Sequence, residues 1–288
     1  MRFQHDKKLL STILVFTDLD GTLLDHDTYS LAPARELIDT LQECKIPLVA
    51  NTSKTRAELL SFQKSIMLQA PFISENGAAI HLPKTQFPRQ PQNSVESGEF
   101  WVKQFSQPRA HWISLLKQLA PELQNLTQPF SQMSVEQLCQ ETGLTFDNGL
   151  LAHQREYGEP LKWLGSEDEK HVFIDKITAQ GGHVLQGGRF IHIGDQVNKG
   201  DSMIWLKDLY NQTSKQNHTT IALGDSHNDI DMLEAADVAV LVKSPVHQFP
   251  PLRRTTNIIK TQNKGPVGWV EGLLAGLDIL NNQGVSHG

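Results

Sequence analysis

Cysteine is nearly missing from this 288-residue chain: Cys44 and Cys139 are the only two. So few in so long a chain give no disulfide framework and no thiolate metal spacing, and both are expected to be reduced and structural. Long apolar runs are missing too. None approaches the roughly 20 residues a membrane helix needs, so no span is expected. A basic excess is also absent. Lys and Arg number 26 against 32 Asp and Glu, a net charge of −6, with a pI near 6.0. A nucleic-acid surface wants a basic face, so no nucleic-acid partner is expected. Any anionic ligand must instead meet local positive charge. There is no internal repeat and no low-complexity block. Lys7 and Lys8 precede a short apolar run, but that run enters an acidic segment with no small-residue cleavage site. No signal peptide is expected, and a cytoplasmic location is the default. The length suits two domains.

What is present begins at residues 15–24, Val-Phe-Thr-Asp18-Leu-Asp20-Gly-Thr-Leu-Leu. A short apolar run ends abruptly at two carboxylates, with glycine and threonine behind them. Such a run bounded by turn residues reads as a buried strand. In extended chain, side chains at i and i+2 point the same way, so Asp18 and Asp20 converge on one place. Beyond the carboxyl end of a parallel strand lies the crevice in which open α/β sheets bind ligands. Neighbouring carboxylates repel unless a cation or shared proton offsets them. A solvated acidic turn is the plain alternative for this stretch taken alone.

Three further segments follow in order. Pro47-Leu-Val-Ala-Asn-Thr52-Ser53 is an apolar strand ending in hydroxyls. Lys199-Gly200 precedes a helical pattern over 201–210. Ile221-Ala-Leu-Gly224-Asp225-Ser-His-Asn228-Asp229 again joins a strand to a helix. Asp225 alone reads equally well as a helix N-cap; Asp225, Asn228 and Asp229 together on a first turn do not. The ordered set resembles the four motifs of the haloacid dehalogenase superfamily, the aspartate-nucleophile phosphatases. That resemblance implies Asp18 as nucleophile and Asp20 as general acid and base. It implies Ser53 as a phosphate hydrogen-bond donor and Lys199 as its counter-charge. It also implies Mg²⁺, a hard cation that prefers oxygen ligands, held by Asp18, Asp225, Asp229 and the Asp20 carbonyl. Asn228 reads as an orienting group; His227 has no assigned role.

Elsewhere the chain alternates strand and helix. Helical spacing recurs over 33–45 and 55–68, and short strands are expected at 71–74 and 238–242. Alternation of this kind argues an α/β fold, a doubly wound, Rossmann-like parallel sheet. The texture changes near residue 83, where Pro83, Pro88 and Pro91 are spaced by polar residues. Helices are expected near 109–120, 134–142 and 168–180, loops at 83–98, 155–169 and 211–218, and a hairpin turn at Gly187-Gly188 between strands at 183–186 and 189–193. The expected division is a catalytic core of 1–83 and 194–288 with an inserted α+β cap domain of 84–193.

Motifs of the core give a reaction type, not a substrate. Five segments outside them resemble the mannosyl-3-phosphoglycerate phosphatase branch. They are Asn51-Thr-Ser-Lys54-Thr, Ser74-Glu75-Asn76-Gly-Ala, Arg155-Glu156-Tyr-x-Glu159-Pro, Gly187-Gly-Arg189-Phe-x-His192 and Lys264-Gly-Pro. The implied partner is a small phosphorylated sugar derivative bearing a carboxylate. Arg155 and Arg189 are forks suited to carboxylate or phosphate, and Lys54 is a further cation. Glu75, Asn76, Glu156 and Glu159 offer acceptors to sugar hydroxyls; His192 is left open between packing and contact. Glucosyl-3-phosphoglycerate, sucrose-6-phosphate or trehalose-6-phosphate as substrate, a phosphomutase, and a non-catalytic binding protein on the same fold are the rival readings. Monomer and homodimer both remain open.

Overall fold

The computed structural model describes residues 10–186 and 190–285. Its contacts divide the chain into two units: Met1–Thr52, Leu68–Lys103 and Asn198–Gly288 in the first, Ser53–Met67 and Gln104–Val197 in the second. Residues 84–103 thus go with the first unit and residues 53–67 with the second.

The first unit is built on a nine-stranded sheet in the order β13-β12-β11-β1-β2-β3-β4-β6-β5. Its strands are β1 (Ile13–Thr17), β2 (Leu48–Asn51), β3 (Phe72–Ser74), β4 (Ala79–Pro83), β5 (Val95–Ser97), β6 (Phe100–Gln104), β11 (Thr219–Gly224), β12 (Val238–Lys243) and β13 (Ile258–Lys264). From β13 to β3 every pairing is parallel. β4 then turns back antiparallel on β3, and β5 and β6 form an antiparallel pair at the edge. β1 reads Ile-Leu-Val-Phe-Thr and is buried throughout, the continuous apolar pattern of a strand covered on both faces. Its neighbours are β2 on one side and β11 on the other, so chain order runs outward from it in both directions. That reversal opens a crevice at the carboxyl ends of β1 and β11.

Two helices show how the faces are covered. Helix α1 (Arg35–Glu43) buries Leu37, Ile38 and Leu41, the three- and four-residue spacing of one helical face. The carboxyl-terminal helix spans Gly265–Val285 and buries Trp269, Leu273, Leu277 and Leu280. The Trp269 indole donates to the Thr17 hydroxyl at 2.9 Å, pinning the last residue of β1 from the helix side.

The second unit carries a four-stranded antiparallel sheet, β7 (Thr127–Pro129), β8 (Glu159–Trp163), β10 (Ile191–Gly194) and β9 (His183–Gln186), in that order. Its apolar cluster gathers Trp112, Leu115, Leu116, Leu161, Phe173, Ile177, Ile191 and Ile193. α2 (Arg56–Ser65) belongs here, started by a Thr55–Glu58 capping box.

Three expected loops are partly ordered elements. Residues 155–169 contain β8, a strand whose Pro160 pairs with His192 of β10 but lies past the last residue pair with β7; proline is tolerated where a ladder ends. The polar stretch 83–98 contains β5, and the Trp101 indole ties it down at the Phe87 carbonyl. The helix beginning at Lys199 continues to Ser214. Asn211 within it accepts from the His218 amide at 2.7 Å, so the polar side chains there close a turn. Gly187 and Gly188, where a hairpin turn is expected, lie outside the described residues.

Candidate active site

Four charged side chains from three separate stretches meet beneath the crevice of the first unit. Asp18 follows β1, Asp225 follows β11, Asp229 lies one turn further on, and Lys199 opens the 199–214 helix. All four are buried, Lys199 and Asp229 completely. The Lys199 ammonium donates to Asp18 Oδ1 at 2.7 Å and to Asp229 Oδ1 at 2.6 Å. Asp18, Asp225 and Asp229 each offer an oxygen within 4.8 Å of the others.

Backbone geometry makes this approach feasible. Gly21 has φ +78°, and a Cβ there would stand 2.8 Å from Asp225 Oδ2. A Cβ on Gly224 would stand 2.5 Å from the Cβ of Asp229. Only glycine lets the two loops close on each other. Asp229 has little freedom: its Oδ2 accepts from the amides of Asp225 and Ser226, both at 3.0 Å. With Oδ1 given to Lys199, Asp229 is occupied on both oxygens. Asp225 accepts from the Thr22 hydroxyl at 3.2 Å and from Ser244.

The charges do not balance. Burial is the largest influence on Asp18; it raises the carboxyl above its ordinary value, and Asp229 and Asp20 add to it. Lys199 pulls the other way, and the group comes to rest at about 7. Burial and Asp229 likewise raise Asp225. Burial disfavours the Lys199 cation, but Asp18 and Asp229 outweigh it and hold the ammonium above the usual lysine range. With all three carboxylates ionised, one ammonium would leave an excess of two negative charges in a buried place, and the raised Asp18 and Asp225 carboxyls express that excess. An oxygen-seeking divalent cation fits that donor set and its charge; Asp18 and Asp225 keep the least committed oxygens for it.

Asp20 sits half-buried two residues past Asp18, its backbone bridged to Leu24. Asn76 and Glu75 occupy a strained turn. Glu75 (φ 51°), Asn76 (φ 59°) and Gly77 (φ 98°) are three consecutive left-handed residues; the two with side chains carry strain of about 1–3 kcal/mol each. The turn is clamped by the Asn76 amide on the Thr52 carbonyl at 2.9 Å, and by Asn228 Nδ2 on Asn76 Oδ1 at 3.1 Å. The fourth motif thus holds the 75–77 turn through Asn228. His227 is exposed.

Ser53, Lys54, Arg155 and Glu159 belong to the second unit. There Arg155 donates to the Ser53 carbonyl at 3.1 Å, Lys54 stands 3.6 Å from Glu58, and Arg56 faces Glu156 at 3.6 Å. The Thr55 hydroxyl meets the Leu151 carbonyl. The 53–56 stretch is thus fastened to 151–156, which brings Lys54 and Arg155 onto neighbouring backbone. Glu159, expected as a sugar acceptor, is fully buried; one oxygen pairs with Arg109 and the other takes the Ser131 amide at 2.8 Å. His192 is held neutral, its pKa pushed down to about 3, mainly by burial and then by Arg155. Arg189 lies outside the described residues.

Several residues to which the sequence reading attached no role support the cluster. Asn51, fully buried at the end of β2, donates to the Lys199 carbonyl at 2.9 Å. Thr22 and Ser244 hold Asp225. A polar residue closing an otherwise apolar strand was the available signal for Asn51; Ser244 carried none, because its partner is remote in sequence.

Comparison with known proteins adds to this geometry. A family model described as haloacid dehalogenase-like hydrolase matches residues 15–113 and 182–269. A glucosyl-3-phosphoglycerate/mannosyl-3-phosphoglycerate phosphatase of Methanococcoides burtonii is 37% identical over 269 residues, 93% of this chain and 98% of the relative. Among solved structures, a Thermotoga maritima protein superposes with a TM-score of 0.63 at 17% identity, covering 92% of this chain and 96% of its own. The Synechocystis sucrose-phosphatase, solved with sucrose and phosphate, gives 0.55 at 17% identity, covering 93% and 98%. At such identities the structures show the fold alone.

Proposed function

This chain belongs to the haloacid dehalogenase-like hydrolases, in the family of mannosyl-3-phosphoglycerate phosphatases, and on that premise we propose that it hydrolyses mannosyl-3-phosphoglycerate to mannosylglycerate and phosphate. The observation that carries the proposal is the fully buried Lys199 bridging Asp18 and Asp229 beside Asp225. Phosphatase chemistry needs a nucleophile that can approach an anionic ester, and this cluster places one carboxylate against a fixed cation.

In the proposed reaction an Asp18 oxygen attacks phosphorus as the bond to the leaving oxygen breaks. Asp20 gives that oxygen a proton. The aspartyl-phosphate is then opened by water, whose proton returns to Asp20 as the P–O bond to Asp18 breaks. Lys199 stays charged throughout and offsets negative charge on Asp18 and the phosphoryl group. Asp229 holds Lys199 in place and fixes the loop bearing Asp225. Ser53 donates to a phosphoryl oxygen. When bound by Asp18, Asp225 and the Asp20 carbonyl, Mg²⁺ supplies the positive charge that the cluster lacks.

Selectivity in this reading comes from Lys54, Arg155 and Arg189, which meet anionic groups, and from Glu75 and Asn76, which accept from sugar hydroxyls. Glu159 contributes by holding Arg109. The Methanococcoides relative is named for both sugars, which favours a second reading in which glucosyl-3-phosphoglycerate is also accepted. A panel of glycosyl-3-phosphoglycerates, sucrose-6-phosphate and trehalose-6-phosphate tests the proposal by phosphate release with Mg²⁺ and with EDTA. Selective release from the glycosyl-3-phosphoglycerates, lost in EDTA, is expected. Preference for a phosphorylated sugar lacking a carboxylate would keep the chemistry and discard the substrate.

A further inference from the structure

Past the carboxyl ends of β12 and β13 the first unit has a cavity of about 430 Å³ lined by Lys243, Ser244, His247, Gln248 and Phe249. Two features set it apart. It adjoins the charged cluster: Ser244 lines it one residue past β12, and Gly224, which precedes Asp225, pairs with Leu241 at that same strand end. Its rim concentrates cations in a chain whose net charge is −6. Of these cations Lys243 lines the cavity; past a bulge in the parallel β12–β13 register it pairs with Lys264, and Lys260 lies 5.6 Å over the Phe249 ring. Like charges on neighbouring strands repel, and among the described residues no ion pair offsets Lys243, Lys260 or Lys264.

We infer that this cavity is an anion subsite of the reaction, taking the glycerate carboxylate of the substrate. The inference rests on the function proposed above and deepens it. Lys243 and Lys264 would bind the carboxylate by charge-assisted hydrogen bonds. Gln248 and His247 offer hydrogen bonds to hydroxyls, and the Phe249 ring is a flat apolar wall for carbon. The carboxyl ends of parallel strands are where ligands bind in such sheets, and here the cations, the wall and the link to Asp225 share that end.

The test compares Lys243→Gln and Lys264→Gln with the parent protein. Its readout is selectivity, kcat/KM for mannosyl-3-phosphoglycerate divided by that for sucrose-6-phosphate, which lacks a carboxylate. A fall of about tenfold or more, carried by KM and recovered in Lys243→Arg, is expected. Unchanged selectivity in both variants would overturn the subsite; lysines that merely guard the edge strand β13 would change aggregation alone. Free D-glycerate, tested as an inhibitor of p-nitrophenyl phosphate hydrolysis, separates this inference from the function it rests on. If the parent prefers other sugar phosphates but D-glycerate inhibits it and inhibition weakens in Lys243→Gln, the function reading fails and the subsite stands. If D-glycerate inhibits parent and variant equally, or neither, the subsite fails.

Discussion

Two buried groups of charges, one in each unit, are built on opposite terms. In the second unit Glu159 and Arg109 form a charge-balanced pair: one negative charge, one positive, with the Ser131 amide on the remaining carboxylate oxygen and the His153 carbonyl on one guanidinium nitrogen. In the first unit Asp18, Asp225 and Asp229 surround the single ammonium of Lys199. A charge-balanced pair holds structure and calls for no counter-ion. An unbalanced one costs stability and awaits a partner, which is the condition of a site.

The largest test of this contrast is on activity. Asp18→Asn should lower phosphate release by at least about 10⁴-fold, the scale on which a nucleophile acting as part of a unit is lost. Circular dichroism should show the fold intact. Activity within tenfold of the parent would remove Asp18 from the nucleophile role.

Stability should split the two groups by sign. Glu159→Ala strands a buried guanidinium and should cost about 3–5 kcal/mol in urea unfolding. Asp225→Asn removes surplus charge while keeping an acceptor for Thr22 and Ser244, so without added metal it should unfold at higher urea than the parent. A destabilised Asp225→Asn would mean that the cluster is balanced by something else.

Dependence on pH sharpens the contrast. Asp18 is raised from 3.8 to about 7, so the folded state holds a proton that the unfolded state releases. Its contribution is complete below about 4 and is lost as pH rises toward 7. His192 is lowered from 6.5 to about 3; its contribution is present above 6.5 and is lost as pH falls toward 3. Metal-free melting curves of Asp18→Asn and His192→Gln should each flatten one limb of the stability profile, on opposite sides. The smallest expected effect is at Thr22. Thr22→Val removes one 3.2 Å hydrogen bond to Asp225, worth about 1 kcal/mol, and should weaken Mg²⁺ dependence of phosphate release several-fold at most.

Legibility followed the same division. Asp18, Lys199, Asp225 and Asp229 announce themselves because each stands where an apolar strand or a helix begins or ends, so local sequence fixes their place. The parallel core was readable for the same reason, through runs such as Ile13–Thr17 and Thr219–Gly224. Arg109 with Glu159 was not, since the partners lie 50 residues apart and a carboxylate before proline reads equally as a ligand contact or a structural pair. Asn51 reaches Lys199 across 148 residues, a contact that only the sheet order creates. The strand β8 hid inside a stretch rich in Gly, Glu and Pro because its burial comes from β7 and β10 rather than from its own pattern.

The most direct measurement is phosphate release from mannosyl-3-phosphoglycerate by the parent protein and Asp18→Asn, each with Mg²⁺ and with EDTA. The account predicts release by the parent with Mg²⁺ and essentially none in the other three conditions. Release that persists in EDTA, or in Asp18→Asn, would contradict the claim that the unbalanced buried cluster is the reacting centre.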